Sequence, residues 1–229
     1  MDCKNCFLAK ECNWCCQNEE FCQRKFKLEA LYKKALLADS QRIRQTLKVD
    51  SDGTDIEAFT QLSNIEKNIN SFVRSGSNLY LWSKNSGNGK TSWSIRMIQA
   101  YLNENWPLCP LTCQALLVDV PTFLSAIKAN LTAKDEYAEY VLSVVKTAPL
   151  VVWDDIGTKL GTSFEINKLL EILNYRMNYG KANIFTTNLN QTELKATLDT
   201  RLASRIYESS TVIELRGSDK RFLRKEVNE

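Results

Sequence analysis

Asn78-Leu79-Tyr80-Leu81-Trp82-Ser83-Lys84-Asn85-Ser86-Gly87-Asn88-Gly89-Lys90-Thr91 is the stretch on which the fold turns. Its first five residues form a strand-like apolar run, and a helix is predicted from Thr91 to Asn103. A phosphate-binding loop needs this order: a strand, a turn whose backbone N–H groups point inward, then a helix N-terminus aimed at the anion. Gly87 and Gly89 allow the backbone angles and the close approach that a side chain would block. Lys90 can reach the β- and γ-phosphates as a point charge, and the Thr91 hydroxyl can ligate Mg²⁺. Ser86, Asn88 and Ser92 complete the candidate nucleotide contacts. The usual spacing, G-x-x-x-x-G-K-[ST], has its first glycine where this chain carries Lys84, a departure that bears on the first turn of the loop. The plain alternative is a surface turn before a helix, and the strand–loop–helix context argues against it.

Further strand ends carry polar groups that belong with such a loop. Leu150-Val151-Val152-Trp153-Asp154-Asp155 reads as a buried strand closing on two carboxylates. In phosphoryl-transfer sites such acids hold Mg²⁺ and orient the attacking water. Asp154 is the candidate metal ligand beside Thr91. Asp155 is the candidate for polarising water, a role in which glutamate is commoner, and its shorter side chain predicts slow hydrolysis. Asn183–Thr187 is another predicted strand, and Asn188 at its end is a candidate to orient the water or touch the γ-phosphate; a turn or cap residue is the plainer reading. Leu194, Leu198, Leu202 and Ile206 mark the apolar stripe of a helix, with Arg201 and Arg205 four apart beside it. These arginines either make surface ion pairs or, for Arg205, reach into a neighbouring subunit's ATP site.

Outward from the loop, Ala115–Val120 and Thr211–Leu215 are further strand candidates, and Phe59, Leu62, Ile65, Ile69 and Val73 recur at helical spacing. Short apolar strands alternating with helices predict an α/β fold, a parallel sheet covered by helices on both faces. The polar run Asp50-Ser51-Asp52-Gly53-Thr54-Asp55 is the best linker candidate. It divides the chain into an N-terminal region at 1–49, a linker at 50–57 and the loop-bearing domain at 58–229. In the first of these, Arg24 to Val49 reads as one or two basic amphipathic helices with Leu28, Leu31, Ala35, Ile43 and Leu47 as apolar positions.

Composition sets limits on chemistry. The 229 residues carry no histidine, which excludes a Ser-His-Asp triad, a Cys-His pair and histidine-ligated zinc. Acid–base work falls to carboxylates. Hydrophobic residues make up 44% and charged residues 25%, as in soluble domains. There is no apolar run long enough to span a bilayer and no signal-peptide core at Met1-Asp2-Cys3-Lys4, so a cytoplasmic protein without membrane contact is expected. The net charge of +3 is too small to establish nucleic-acid binding. Five basic residues between Arg216 and Lys225 (Arg216, Lys220, Arg221, Arg224, Lys225), against the single acid Asp219, form either a solvated edge or phosphate contacts.

Six of the eight cysteines lie in the first 22 residues: Cys3, Cys6, Cys12, Cys15, Cys16 and Cys22. Closely spaced Cys-x-x-Cys pairs in a cytosolic chain point to metal rather than disulfides. A segment this short has no adequate core, so metal would supply its folding energy. Four of the six thiolates suit a tetrahedral zinc, while an iron–sulfur cluster or two zincs sharing six thiolates remain open. Cys109 and Cys113 are read as structural.

Gly87–Thr91, Leu150–Gly157, Thr186–Leu189, Arg201–Arg205 and Gly217–Arg221 together resemble the AAA+ ATPase domain of DnaC/DnaI-type helicase loaders over residues 58–225. The resemblance implies a P-loop AAA+ sheet, an ATP and Mg²⁺ site, and Asn188, Arg205 and Arg221 as sensor 1, arginine finger and sensor-2 arginine. Val120 to Leu131 is similar to the segment such loaders use towards single-stranded DNA, with Phe123, Lys128 and Leu131 as possible contacts; core packing is the plainer reading of Phe123. The departures are Lys84 for glycine and Asp155 for the commoner glutamate. The implied function is ATP-dependent loading of a DnaB-family replicative helicase onto single-stranded DNA, with self-association through the ATP site and the N-terminal region gripping the helicase. The alternatives are an IstB-type transposition ATPase, or a zinc-dependent scaffold that binds nucleotide with little turnover.

Overall fold

A computed structural model describes residues 19–43, 53–158 and 161–220. The run quoted first becomes strand β1 (Asn78–Trp82), and it is joined by β2 (Ala115–Asp119), β3 (Leu150–Asp154), β4 (Ala182–Thr187) and β5 (Ser210–Glu214). All pairings are parallel, in the spatial order β2-β3-β4-β1-β5. Asn78 pairs with Asn183 on one side and Ser210 on the other, so β1, β4 and β5 end level with one another. The α/β expectation holds. The predicted strands match to within a residue, because each is a buried run flanked by polar breaks.

Side chains alternate across the sheet, and each face has its own core. Leu79, Leu81, Leu117, Val152 and Ile184 face α3 (Ile56–Lys67), α4 (Ile69–Arg74) and α5 (Lys90–Asn105). Tyr80, Leu116, Val118, Trp153 and Phe185 face α6 (Val120–Ala129), α7 (Glu136–Val144), α8 (Ser163–Asn178), α9 (Gln191–Thr197) and α10 (Thr200–Glu208). Parallel strands covered on both faces leave the site to the loops beyond their C-terminal ends.

The structure differs from three expectations. α1 (Glu19–Lys34) and α2 (Asp39–Ile43) share the first core instead of standing apart from it. Leu28, Leu31, Tyr32 and Ala35 fall on one helical stripe, all are buried, and the Leu117 N–H of β2 donates to the Ala35 carbonyl at 3.0 Å. Asp55, expected in a linker, is 2% exposed, and α3 begins at the next residue. The single helix expected over Leu194 to Ile206 is two. Leu198 is extended (φ −104°, ψ 163°) and the Asp199 carboxylate caps α10 by accepting from Arg201 N. The four apolar residues are all buried nonetheless, which is why their spacing reads as one stripe. No helix among the described residues is long and apolar enough to cross a membrane.

Candidate nucleotide site

The loop from Ser83 to Lys90 leaves the C-terminal end of β1 and enters α5. Gly87 (φ 74°) and Gly89 (φ 110°) lie in the left-handed region, where a side chain would be strained. Lys84 does not: it is exposed and its φ is not positive, so the missing glycine costs the first turn nothing. The Lys90 side chain is buried, and its ammonium donates to the Asn85 carbonyl at 3.0 Å. Asn88 is 1% exposed, and its amide is directed at Ser83 Oγ and at the Leu215 carbonyl (3.2 Å). Its side-chain amide is therefore engaged inside the protein, which leaves the backbone N–H as its candidate nucleotide contact.

The two strand-end acids differ in their surroundings. Asp154 is buried, and accepts from Thr91 Oγ1 at 3.0 Å and from Thr186 Oγ1. Burial pushes its pKa up to about 6; the nearby Asp155 and Asp119 push the same way, and the hydrogen bonds from Thr186 and Thr91 oppose them. Asp155 is half-buried in a left-handed conformation (φ 56°). Its N–H donates to Thr186 Oγ1 at 3.0 Å, and its carbonyl accepts from the Thr158 hydroxyl at 2.8 Å. The following Ile156 N–H donates to the Thr186 carbonyl at 2.9 Å. Gly157 (φ +85°) completes the turn, where an added Cβ would stand 2.8 Å from Leu189 Cδ1.

Ser86, Gly87, Gly89, Lys90, Thr91, Ser92, Asp155 and Asn188 line one cavity of about 410 Å³ with Ile95, Ser40 and Gln41. Asn188 Oδ1 is buried with no hydrogen-bond partner among the described residues, which is costly unless a ligand or water supplies the donor. The hard oxygen donors of Thr91 and Asp154, already in contact, suit Mg²⁺. A glycine loop and a buried lysine in one cavity suit the phosphates of a nucleoside triphosphate, and the unpaired Asn188 oxygen suits a water held beside them.

No family model matches the chain. It is 32% identical over 182 residues, 76% of its length, to the replicative helicase loader DnaI of Bacillus subtilis strain 168. It spans about half of that relative, 55% of its length. Among solved structures, the DnaC helicase loader superposes with a TM-score of 0.63 at 19% identity, covering 78% of this chain and all of that one. The DnaI crystal structure superposes with a TM-score of 0.60 at 22% identity, covering 77% of this chain and 94% of that one. The chain has a DnaC/DnaI-like AAA+ fold.

Within this AAA+ fold, Arg205 does not line the phosphate-loop cavity. It is exposed on α10 and faces a separate cleft with Arg201, Asn174 and Asn78, the residue that opens β1 at the end opposite the loop. Arg201 is paired with Asp199 at 3.0 Å, whereas the Arg205 guanidinium has no partner among the described residues. Arg221 lies outside the described residues, as do Arg224 and Lys225. Arg216 is exposed and paired with Glu214 at 2.7 Å. On α6, Phe123 is fully buried and Lys128 is exposed, as is Leu131 just beyond the helix. Cys3, Cys6, Cys12, Cys15 and Cys16 lie outside the described residues, and Cys22 is half-buried on α1. No group of three or more His, Cys, Asp or Glu side chains is arranged to hold a metal among the described residues. Cys109 and Cys113 are both unbridged thiols, and Cys113 Sγ donates to the Ala115 carbonyl at 3.2 Å.

Three site residues escaped the sequence reading. Thr186 joins the Asp154 carboxylate to the Asp155 N–H through one hydroxyl, and the sequence singles it out only as the first residue of the Thr186–Leu189 stretch, with no role of its own. Ser40 and Gln41 come from α2, far away in sequence, and nothing in their spacing pointed to the phosphate-loop cavity.

Proposed function

We propose that this chain is an ATP-dependent loader of a DnaB-family replicative helicase onto single-stranded DNA. The observation that carries the reading is its 32% identity over 182 residues to the loader DnaI. The convergence of the glycine loop, Asp154, Asp155 and Asn188 supports the dependence on ATP.

In this reading the backbone N–H groups of Gly87 to Thr91 bind the phosphates, and Lys90 leaves the Asn85 carbonyl to neutralise the β- and γ-oxygens. Thr91 and Asp154 would hold Mg²⁺, which supplies positive charge against the triphosphate. Asp155 accepts a hydrogen bond from the attacking water, and the unpaired Asn188 Oδ1 helps to orient it. Thr186 keeps the two acids in register. Arg205, exposed and without a partner among the described residues, acts in a neighbouring subunit's site, where a guanidinium stabilises developing charge. Arg221 serves as the second sensor. The N-terminal region contacts the helicase, and Lys128 and Leu131 on the exposed side of α6 and just beyond it face DNA. Loss of the γ-phosphate contacts then releases the loader.

The test is reconstituted loading of candidate helicases onto single-stranded DNA, with ATP turnover and metal content measured on the same protein. Lys90→Ala is expected to weaken ATP binding by about tenfold or more, the scale of one lost charge-assisted contact, and to abolish loading. A Lys90→Ala chain that binds ATP and loads helicase normally overturns the proposal. Capture of a transposase instead moves it to the transposition reading. ATP turnover near zero with and without helicase and DNA moves it to the scaffold reading.

A further inference from the structure

The segment after β5 is tied to the phosphate loop more densely than chain connectivity requires. Leu215 extends the ladder, its N–H donating to the Trp82 carbonyl at 2.9 Å. The next two residues have all four backbone polar groups engaged. Arg216 N and Gly217 N donate to the two carboxylate oxygens of Asp55, at 2.8 and 2.9 Å. Both of their carbonyls accept from Asn85 Nδ2, each at 3.1 Å. Asn88 Nδ2 reaches the Leu215 carbonyl at 3.2 Å, and Lys220 N donates to the Gly87 carbonyl at 3.0 Å. The Lys220 ammonium lies 5.0 Å over the ring of Phe59, which meets Trp93 of α5 edge-on. Segment 215–220 is thus held by three loop residues on one side and by the start of α3 on the other.

A carboxylate with only 2% of its residue surface exposed is retained where charge-assisted hydrogen bonds offset its desolvation, and both oxygens of Asp55 are spent on a single dipeptide. Asn85 joins this clamp to the one loop contact that phosphate binding must change. Its side chain holds Arg216 and Gly217, while its own carbonyl accepts from the Lys90 ammonium. When Lys90 turns to a phosphate oxygen, Asn85 loses that bond.

We infer that Asp55, Asn85 and Asn88 form a latch that makes segment 215–220 an extension of the phosphate loop, with Asp55 as a positioning residue for the nucleotide site. The inference rests on the nucleotide reading of that loop. Coupling of this kind is reciprocal: if bound ATP steadies the segment, loosening the segment weakens ATP by the same factor.

Hydrogen exchange at the Arg216 and Gly217 amides, with and without Mg-ATP, tests this on the full chain alongside ATP affinity. ATP is expected to slow both amides by about fivefold or more, within the usual range of coupling between sites. Asp55→Ala should abolish that protection and raise the ATP dissociation constant by the same order, well below the melting temperature. Asn85 is exposed, so Asn85→Ala gives the same readout should Asp55→Ala fail to fold. A purely structural clamp would lower the melting temperature of both variants and leave affinity and ATP-dependent exchange alone, which overturns the latch. ATP binding without any change at Arg216 and Gly217 in the unaltered chain also sinks the latch, and only the latch. An unaltered chain that binds no ATP sinks the nucleotide reading and the latch with it.

Discussion

Asp155 holds a left-handed backbone conformation (φ 56°) that costs a residue with a Cβ roughly 1 kcal/mol, and Asp and Asn bear that cost best. The strain is held by the Thr186 and Thr158 hydroxyls. Asp155→Asn keeps this tolerance and removes only the charge. It should leave stability within about 0.5 kcal/mol and ATP affinity nearly unchanged, while single-turnover hydrolysis falls by about 100-fold, the scale of a lost general base. Its neighbour Asp154 makes a different prediction. With its pKa raised from 3.8 to about 6, the folded chain binds a proton more tightly there than the unfolded chain does. The sign follows: stability from this group is fully present below about pH 4 and is lost as pH rises through about 6, some 3 kcal/mol in all. Melts of nucleotide-free and metal-free protein should show this fall, and Asp154→Asn should flatten it. That Lys90, Thr91 and the two acids lie together was legible, because a glycine loop after one strand and acids at the end of another meet at the same edge of a parallel sheet. Thr186 was not, since a threonine in a strand is ordinary and only the tertiary fold brings its hydroxyl between the Asp154 carboxylate and the Asp155 N–H.

At the scale of elements, the strands were legible to within a residue because burial on both faces demands continuous apolar runs, and the sequence has few others. The helix ends were less so. Leu194 to Ile206 keeps its apolar spacing through a break at Leu198, and only the hydrogen bond from Arg201 N to Asp199 marks a second helix. A second hidden device is Arg176, which is fully buried on α8. Its guanidinium donates to the carbonyls of Val145, Ala148 and Ala182 and to Asn183 Oδ1, at 2.6–2.8 Å, without a carboxylate. Burial pulls its pKa down to about 9, so it stays charged at neutral pH. It ties the end of α7 to α8 and β4, at the opposite end of the sheet from the loop. Arg176→Met leaves several buried acceptors without their donor and should cost about 3 kcal/mol in denaturant melts. ATP affinity measured well below the transition should not change.

At the scale of the molecule, sequence and structure part over the N-terminal helices. The polar run at 50–55 reads as a linker because composition records solubility and not what a flanking helix packs on. In the structure Leu28, Leu31, Tyr32, Ala35 and Leu37 belong to the same core as Met97 and Leu117, and Ser40 and Gln41 line the nucleotide cavity. Each large apolar side chain among them is worth roughly 1.5–3 kcal/mol of burial, offset in part by the cost of ordering the helices. Removing residues 1–43 should therefore cost at least about 3 kcal/mol and lower the melting temperature by about 10 °C, at 2–4 °C per kcal/mol for a domain of this size. It should also weaken ATP binding, since one wall of the cavity goes with α2. Leu31→Ala, which alone deletes a side chain only 1% exposed, should cost about 2–4 kcal/mol while Ser40 and Gln41 remain. Differential scanning fluorimetry and titration with a fluorescent ATP analogue on both variants separate the two effects. If the truncated chain melts where the full chain does and binds ATP as well, the helices are an appendage, as the linker reading holds. If only the truncation loses ATP affinity while both lose stability, the N-terminal helices are part of the ATP site, and a helicase gripping them acts directly on that site.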